Sequence, residues 1–203
     1  MKIYAETERL ILREIVPTDL AGMFELDSNP LVRKYIDNKP ITTKEEALAT
    51  INFIRQQYDE RGIGRWAAVE KSSGDFIGWS GLKLNDAEEP LNGKSDFIDV
   101  GYRFIPRYWG KGYATESALV ALAYGFKEMK YETIAGIAYV ENVASNKVLM
   151  KLGLKHIEDF YVEGAVGAME ETTDFLSDSK LDTNLLGGRI GWDVTPYFAV
   201  EGE

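Results

Sequence analysis

Asp96-Phe97-Ile98-Asp99-Val100-Gly101-Tyr102-Arg103-Phe104-Ile105 runs straight into Pro106-Arg107-Tyr108-Trp109-Gly110-Lys111-Gly112-Tyr113-Ala114-Thr115, and this junction decides the fold. The first half is rich in β-branched and aromatic residues and reads as a strand. The second half sets two glycines and a lysine in a turn. It leads into Ala118, Leu119, Leu122, Ala123 and Phe126, whose spacing predicts a helix over 114–129. Strand, glycine-rich turn and helix start together make a phosphate-binding arrangement. Glycine leaves the backbone N–H groups clear of Cβ atoms, and the helix N-terminus adds the positive end of its dipole, so the turn suits a pyrophosphate. A plain tight strand-to-helix connection has similar local requirements, so the turn alone leaves both readings open.

Downstream of the turn, 133–140 reads as a strand in the place expected of a right-handed strand-helix-strand crossover. Asn142 caps the next helix, Val148, Leu149 and Leu152 form its buried stripe, and Gly153 ends it. Residues 154–162 resume strand character. From 163 to 188 the pattern dissolves into small, acidic and hydroxyl residues, read as a loop insertion before a final strand over 189–200, where Pro196 implies a bend or an edge.

Upstream, 6–15 alternates around Leu10 and Leu12 as a first strand. Pro17, Thr18 and Asp19 open a short helix ending near Asp27, and Asn29-Pro30 starts another through Ile36. Thr43 with Glu46 forms a capping box for a helix that carries Ala47, Ile51, Ile54 and Tyr58 and stops at Gly62. Strands follow over 65–70 and 76–84, joined by a polar loop, with a longer surface loop over 85–94. Antiparallel strands followed by strand-turn-helix units make a mixed α/β architecture, and 1–203 suits one domain.

Composition narrows the chemistry. Cysteine is absent, which excludes disulfides, thiolate metal sites and any Cys-bound intermediate. His156 is the sole histidine, so a multi-histidine metal site is excluded, and its place after Gly153 suits a structural residue. No metal site is expected. A formal charge of −10 argues against nucleic acid or an anionic membrane as partner and would steer a cationic substrate such as an amine. No apolar run approaches the roughly 20 residues of a membrane span, and the start lacks the order of a signal peptide, so a cytoplasmic location is expected.

Three segments carry a resemblance. Glu8-Arg9-Leu10-Ile11-Leu12-Arg13, then Gly101-Tyr102 before Pro106 to Glu116, and Asn142-Val143-Ala144-Ser145-Asn146-Lys147 before Lys151-Leu152-Gly153 together resemble the GNAT N-acetyltransferases. The closest branch is similar to the RimJ/RimL ribosomal-protein N-terminal acetyltransferases, over residues 5 to 162. The resemblance implies a GNAT fold of the α/β (α+β) class, with a mixed, mostly antiparallel sheet whose central strands splay apart between flanking helices. It implies acetyl-CoA as co-substrate and direct attack of an amine, on a protein N-terminus or a small molecule, in a ternary complex. Homodimerisation is compatible with it. A non-catalytic acyl-CoA-binding module is the alternative.

The family signature falls on Arg107, Gly110 and Gly112. By resemblance, the backbone from Trp109 through Gly110, Lys111, Gly112, Tyr113 and Ala114 to Thr115 holds the pyrophosphate. The pantetheine arm then lies between the strand ending at Ile105 and the strand ending at Val140, where an N–H near Phe104 polarises the thioester carbonyl and Val100 and Phe104 line the site. Many members place a tyrosine in the helix after Asn142 to meet the departing thiolate. Leu149 stands at that position here, and Ser145 is the hydroxyl offered instead, with Asn142 holding the pantetheine. Asp99 is the candidate base for the amine; Glu116 and Glu141 are further carboxylates, Glu116 being favoured in a helical first turn by the dipole alone.

Overall fold

The computed structural model describes residues 1–86, 95–139, 141–156 and 190–192. Its centre is an antiparallel five-stranded sheet in the order β1 (Ile3–Glu6), β2 (Leu10–Glu14), β3 (Arg65–Glu70), β4 (Phe76–Asn85) and β5 (Phe97–Phe104). The alternation of Leu10 and Leu12 puts both in the core, as the sequence pattern requires. That pattern, however, predicts one strand over 6–15 where the chain makes a hairpin. The Thr7 hydroxyl accepts the Leu10 N–H and the Thr7 N–H donates to Leu10 O, turning the chain at Thr7 and freeing Ile3–Glu6 to pair back as an edge strand.

Helices cover both faces. On one lie α1 (Leu20–Asp27), α2 (Pro30–Arg33) and α3 (Lys44–Arg61); on the other lies α4 (Tyr113–Lys127), with α5 (Val143–Lys151) beside it. Helix α3 begins on the expected capping box: Thr43 Oγ1 accepts the Glu46 N–H at 3.3 Å and Glu46 Oε2 accepts the Thr43 N–H at 2.9 Å. The short α2 stops at Arg33 rather than Ile36. Under α4 the core is aromatic: Tyr4 stacks on Trp66 at 4.7 Å, and Tyr124 meets Trp66 edge-on at 5.1 Å. Such pairs contribute about 0.5–1.5 kcal/mol each beyond the area they bury.

The segment after α4 departs from expectation in a way that builds the site. Residues 133–139 do not form a regular strand. They meet β5 at one parallel bridge, Asp99 to Ala135, through Val100 N–H to Ala135 O and Ala135 N–H to Ile98 O, each 2.8 Å. Beyond it the Tyr139 carbonyl is taken by the Asn142 N–H at 3.0 Å and by Asn146 Nδ2 at 2.8 Å, so the backbone bends toward α5 instead of following β5. Val140 lies outside the described residues, as do the loop over 87–94 and the insertion over 163–188. Of the strands expected over 154–162 and 189–200, the described parts are β6 (Leu154–His156) and β7 (Ile190–Trp192), which pair in parallel.

Candidate active site

Alternation along β5 divides its residues between two environments. Val100, Tyr102 and Phe104 face α4 and α5: the Phe104 ring lies 6.3 Å from that of Tyr113, and the Tyr102 hydroxyl reaches Ser145. Asp99 and Arg103 face the other way, toward α1, where Arg103 is ion-paired with Asp27. The backbone alternates too. Ile105 N–H donates across the sheet to Ile77 O at 3.0 Å, so the N–H of Phe104 points to the opposite edge, where β5 and the Ala135 segment part.

At the end of β5, Ile105 enters a short 3-10 turn, Pro106–Tyr108, and then the glycine turn. Trp109 folds back so that its Nε1 donates to Phe104 O at 2.6 Å. Gly110 and Gly112 have φ of +70° and +84°, a left-handed conformation costly to any residue with a Cβ, which is why glycine stands at both. A methyl group at Gly110 would meet nothing within 4 Å, and one at Gly112 would meet only Arg9, so both glycines border open space. Gly112 is also the N-cap of α4 and has no side chain with which to cap it. The first-turn N–H groups of Tyr113, Ala114 and Thr115, which a helix cannot satisfy internally, are therefore left for an outside acceptor.

Three cations gather around this turn, each with a carboxylate nearby: Arg107 with Glu25, Arg9 with Glu116, and Lys111 near Glu70. Arg107 pairs with Glu25 of α1 and lies 4.9 Å over the Tyr108 ring, with the exposed Lys111 5.1 Å over the same ring. Arg9, from the start of β2, braces the turn: Nη1 donates to Lys111 O at 2.8 Å, Nε donates to Glu116 Oε2 at 2.7 Å, and the guanidinium stacks 4.4 Å over Tyr113. Thr7 donates to the other oxygen of Glu116 at 2.5 Å. Glu116 is thus a brace between the hairpin and α4. Tyr113 is tied to the sheet by donating its hydroxyl to Glu70, a bond that pushes the tyrosine up to about 12 and holds Glu70 below the ordinary glutamate value.

The two residues expected at the thiol end come together at the start of α5. Asn142 Oδ1 accepts the Ser145 N–H at 3.1 Å, and both residues are buried. Asn142 Nδ2 is buried with no hydrogen-bond partner among the described residues, a donor that a carbonyl of a bound arm would satisfy. Tyr102 Oη lies 2.9 Å from Ser145 Oγ and 3.1 Å from the Ser145 carbonyl oxygen. The sequence marks Tyr102 only as half of the Gly101-Tyr102 pair and gives it no role; the signal for its orientation is the two-residue repeat with Val100 and Phe104.

Asp99 sits differently. Its Oδ2 takes Arg65 Nη2 at 2.5 Å and its Oδ1 takes Asn85 Nδ2 at 2.7 Å, while Arg65 also donates to Gly81 O and Asp99 O. Asp99 lies in a buried ion pair, on the face opposite Ser145 and with both oxygens occupied. Glu141 is exposed, next to the Asn142 cap. Among the described residues no group of His, Asp and Glu is arranged to hold a metal ion, and no helix is long and apolar enough to cross a membrane.

The model of the acetyltransferase (GNAT) domain family matches residues 9–155, from β2 through the glycine turn and α5. The chain belongs to the GNAT acetyltransferase family. The uncharacterized N-acetyltransferase YoaA of Bacillus subtilis is 30% identical over 150 residues, covering 74% of this chain and 81% of YoaA. Among solved structures, a GNAT-family acetyltransferase from Bacillus anthracis is 29% identical with a TM-score of 0.61, covering 75% of this chain and 82% of that one. RimL, a ribosomal L7/L12 α-N-protein acetyltransferase solved with coenzyme A, matches with a TM-score of 0.61 at 16% identity, over 74% of this chain and 82% of RimL, a likeness of fold. As a GNAT member the chain is an acetyl-CoA-dependent acetyltransferase.

Proposed function

We propose that this GNAT enzyme transfers acetyl from acetyl-CoA to a primary amine, on a protein N-terminus or a small molecule, by direct attack in a ternary complex. The observation that carries the reading is the alignment of three features along one edge of β5: the uncapped glycine turn, the Phe104 N–H at the point of divergence, and the unpartnered Asn142 Nδ2. Acetyl-CoA supplies an activated acetyl thioester. The N–H groups from Trp109 to Thr115 hold its pyrophosphate, with Arg107 and Lys111 adding charge that solvent screens. Asn142 Nδ2 donates to the pantetheine arm. The Phe104 N–H polarises the acetyl carbonyl, and Ser145 Oγ faces the departing sulfur.

Asp99 is assigned no proton transfer, because its two oxygens already serve Arg65 and Asn85. The absence of cysteine fits direct attack, since no covalent Cys-acyl step is available. The acceptor meets the opposite side of β5, near α1 and α2; Tyr35, just past α2, lies 6.4 Å from Tyr139 of the segment that bends toward α5. RimL's acceptor is a protein N-terminus by its own name, which makes N-terminal amines the first class to try.

The test is release of free thiol from acetyl-CoA across a panel of N-terminal peptides, polyamines and amino-acid-like amines. Turnover with at least one amine is expected. Tight coenzyme binding without turnover on any amine would refute the enzymatic reading in favour of a binding module.

A further inference from the structure

We propose that the Tyr102 hydroxyl positions the proton of Ser145 for the coenzyme sulfur. The inference rests on the role given above to Ser145. Tyr102 and Ser145 both have 0% exposure, and their hydroxyl oxygens are 2.9 Å apart, with the Ser145 carbonyl 3.1 Å from the phenol. Each hydroxyl has one proton to give, so the Tyr102–Ser145 contacts can be made in two ways. In one, the phenol donates to the Ser145 carbonyl and the serine proton is consumed on Tyr102 Oη. In the other, the phenol donates to Ser145 Oγ, and the serine proton is free to point elsewhere.

The two differ only by rotation about two C–O bonds, with no heavy atom displaced. Negative charge on sulfur selects the second, in which the phenol polarises the serine and strengthens its outgoing hydrogen bond. Burial magnifies the effect, because no water competes for either hydroxyl. The backbone beneath is already fixed, Asn142 Oδ1 holding the Ser145 N–H at 3.1 Å. Leu149, one turn further along α5, brings no hydroxyl to this place. The sheet supplies one instead, from the strand position whose side chain alternation aims at α5.

Coenzyme A bound to the protein reads this dyad without any acceptor. Its thiolate absorbs in the ultraviolet, and the absorbance is followed against pH for the wild type, Tyr102→Phe, Ser145→Ala and the double variant, with thermal unfolding alongside. The bound thiol is expected to titrate about one pH unit higher in each single variant than in the wild type, a tenfold weaker hold on the thiolate. The double variant is expected to match Ser145→Ala, because the tyrosine acts through the serine.

Turnover should follow, with kcat of Tyr102→Phe reduced roughly tenfold at unchanged KM for acetyl-CoA. A Tyr102→Phe titration that overlays the wild type, or a double variant whose shift is the sum of the singles, would overturn the proposal. A purely structural hydroxyl would lower the unfolding temperature and leave the thiol titration in place. Failure of the wild type to bind coenzyme A would remove the proposed function and this inference together, whereas binding without turnover would remove the former and leave the dyad standing on its titration.

Discussion

Gly112→Ala isolates what the glycine turn contributes, provided that backbone strain is separated from ligand binding. At φ +84° and ψ 3°, an L-residue costs about 1–2 kcal/mol. Alanine returns part of this, roughly 0.4–1 kcal/mol, by stiffening the unfolded chain, so a net loss of about 1 kcal/mol is expected. Gly62, after α3, provides the control: its φ is +70° and a Cβ there meets nothing within 4 Å, so Gly62→Ala carries the same strain far from the turn. Urea unfolding should report similar losses for both variants. Calorimetric titration with coenzyme A should not. A methyl at Gly112, the N-cap of α4, is expected to crowd an anion held on the first-turn N–H groups, and a hydrogen bond to a charged group is worth about 1.5–3 kcal/mol, so the loss of one weakens affinity roughly tenfold or more. Gly62→Ala should bind as the wild type does. Unaltered affinity in Gly112→Ala would refute the assignment of the pyrophosphate to this turn.

Asp99→Asn should cost about 3–5 kcal/mol in chemical denaturation, since it leaves the buried Arg65 guanidinium without its counter-charge; full stability with abolished turnover would instead restore Asp99 as the base. Arg9→Met removes the clasp on Lys111 O and Glu116, and the KM for acetyl-CoA should rise several-fold while kcat changes little, checked by initial rates over a range of donor concentrations. The Tyr113–Glu70 bond ties stability to pH. Because the folded Glu70 pKa is depressed below 4.5, the bond's contribution is complete above that value and fades as pH falls through the folded pKa. The stability difference between wild type and Tyr113→Phe should therefore be present at neutral pH and close under acid, as measured by urea unfolding at each pH.

The order of strands and helices was legible because local rules and tertiary packing agree. The Thr43–Glu46 box, the apolar stripe of α4 and the Gly153 terminus each act within a few residues. Where the sequence misled, the cause was non-local. The Thr7 turn is closed by the threonine hydroxyl and continued by Glu116, a residue 109 positions away, so one strand became two. Residues 133–139 have strand composition, but Asn142 and Asn146 draw the Tyr139 carbonyl to α5, and propensity cannot register that competition. Within the candidate site, the left-handed glycine turn and the Asn142 cap on Ser145 were readable as local motifs. Asp99 was not, because its partner Arg65 lies two strands away in the sheet.

Under the proposed function, the two-residue repeat of β5 lets one strand serve both substrates. Val100, Tyr102 and Phe104 turn to α4 and α5; Asp99 and Arg103 turn to the opposite face and are fastened there by Arg65 and Asp27. Both guanidinium groups also lie against the Trp79 ring, at 5.4 and 4.8 Å, so that charge, stacking and ladder hydrogen bonds all fix the same register. A slip of one residue would exchange the two sets, burying Asp99 and Arg103 against α5 and removing Tyr102 from Ser145. The buried ion pairs are a costly way to add stability, given the desolvation of four charged groups. Their return lies in pinning the register on which the donor side depends. Charge removal at Arg103 or Asp99 is therefore expected to disturb coenzyme binding from across the sheet, whereas substitutions at Tyr35 or Tyr139 should change acceptor choice and leave the donor side as it is.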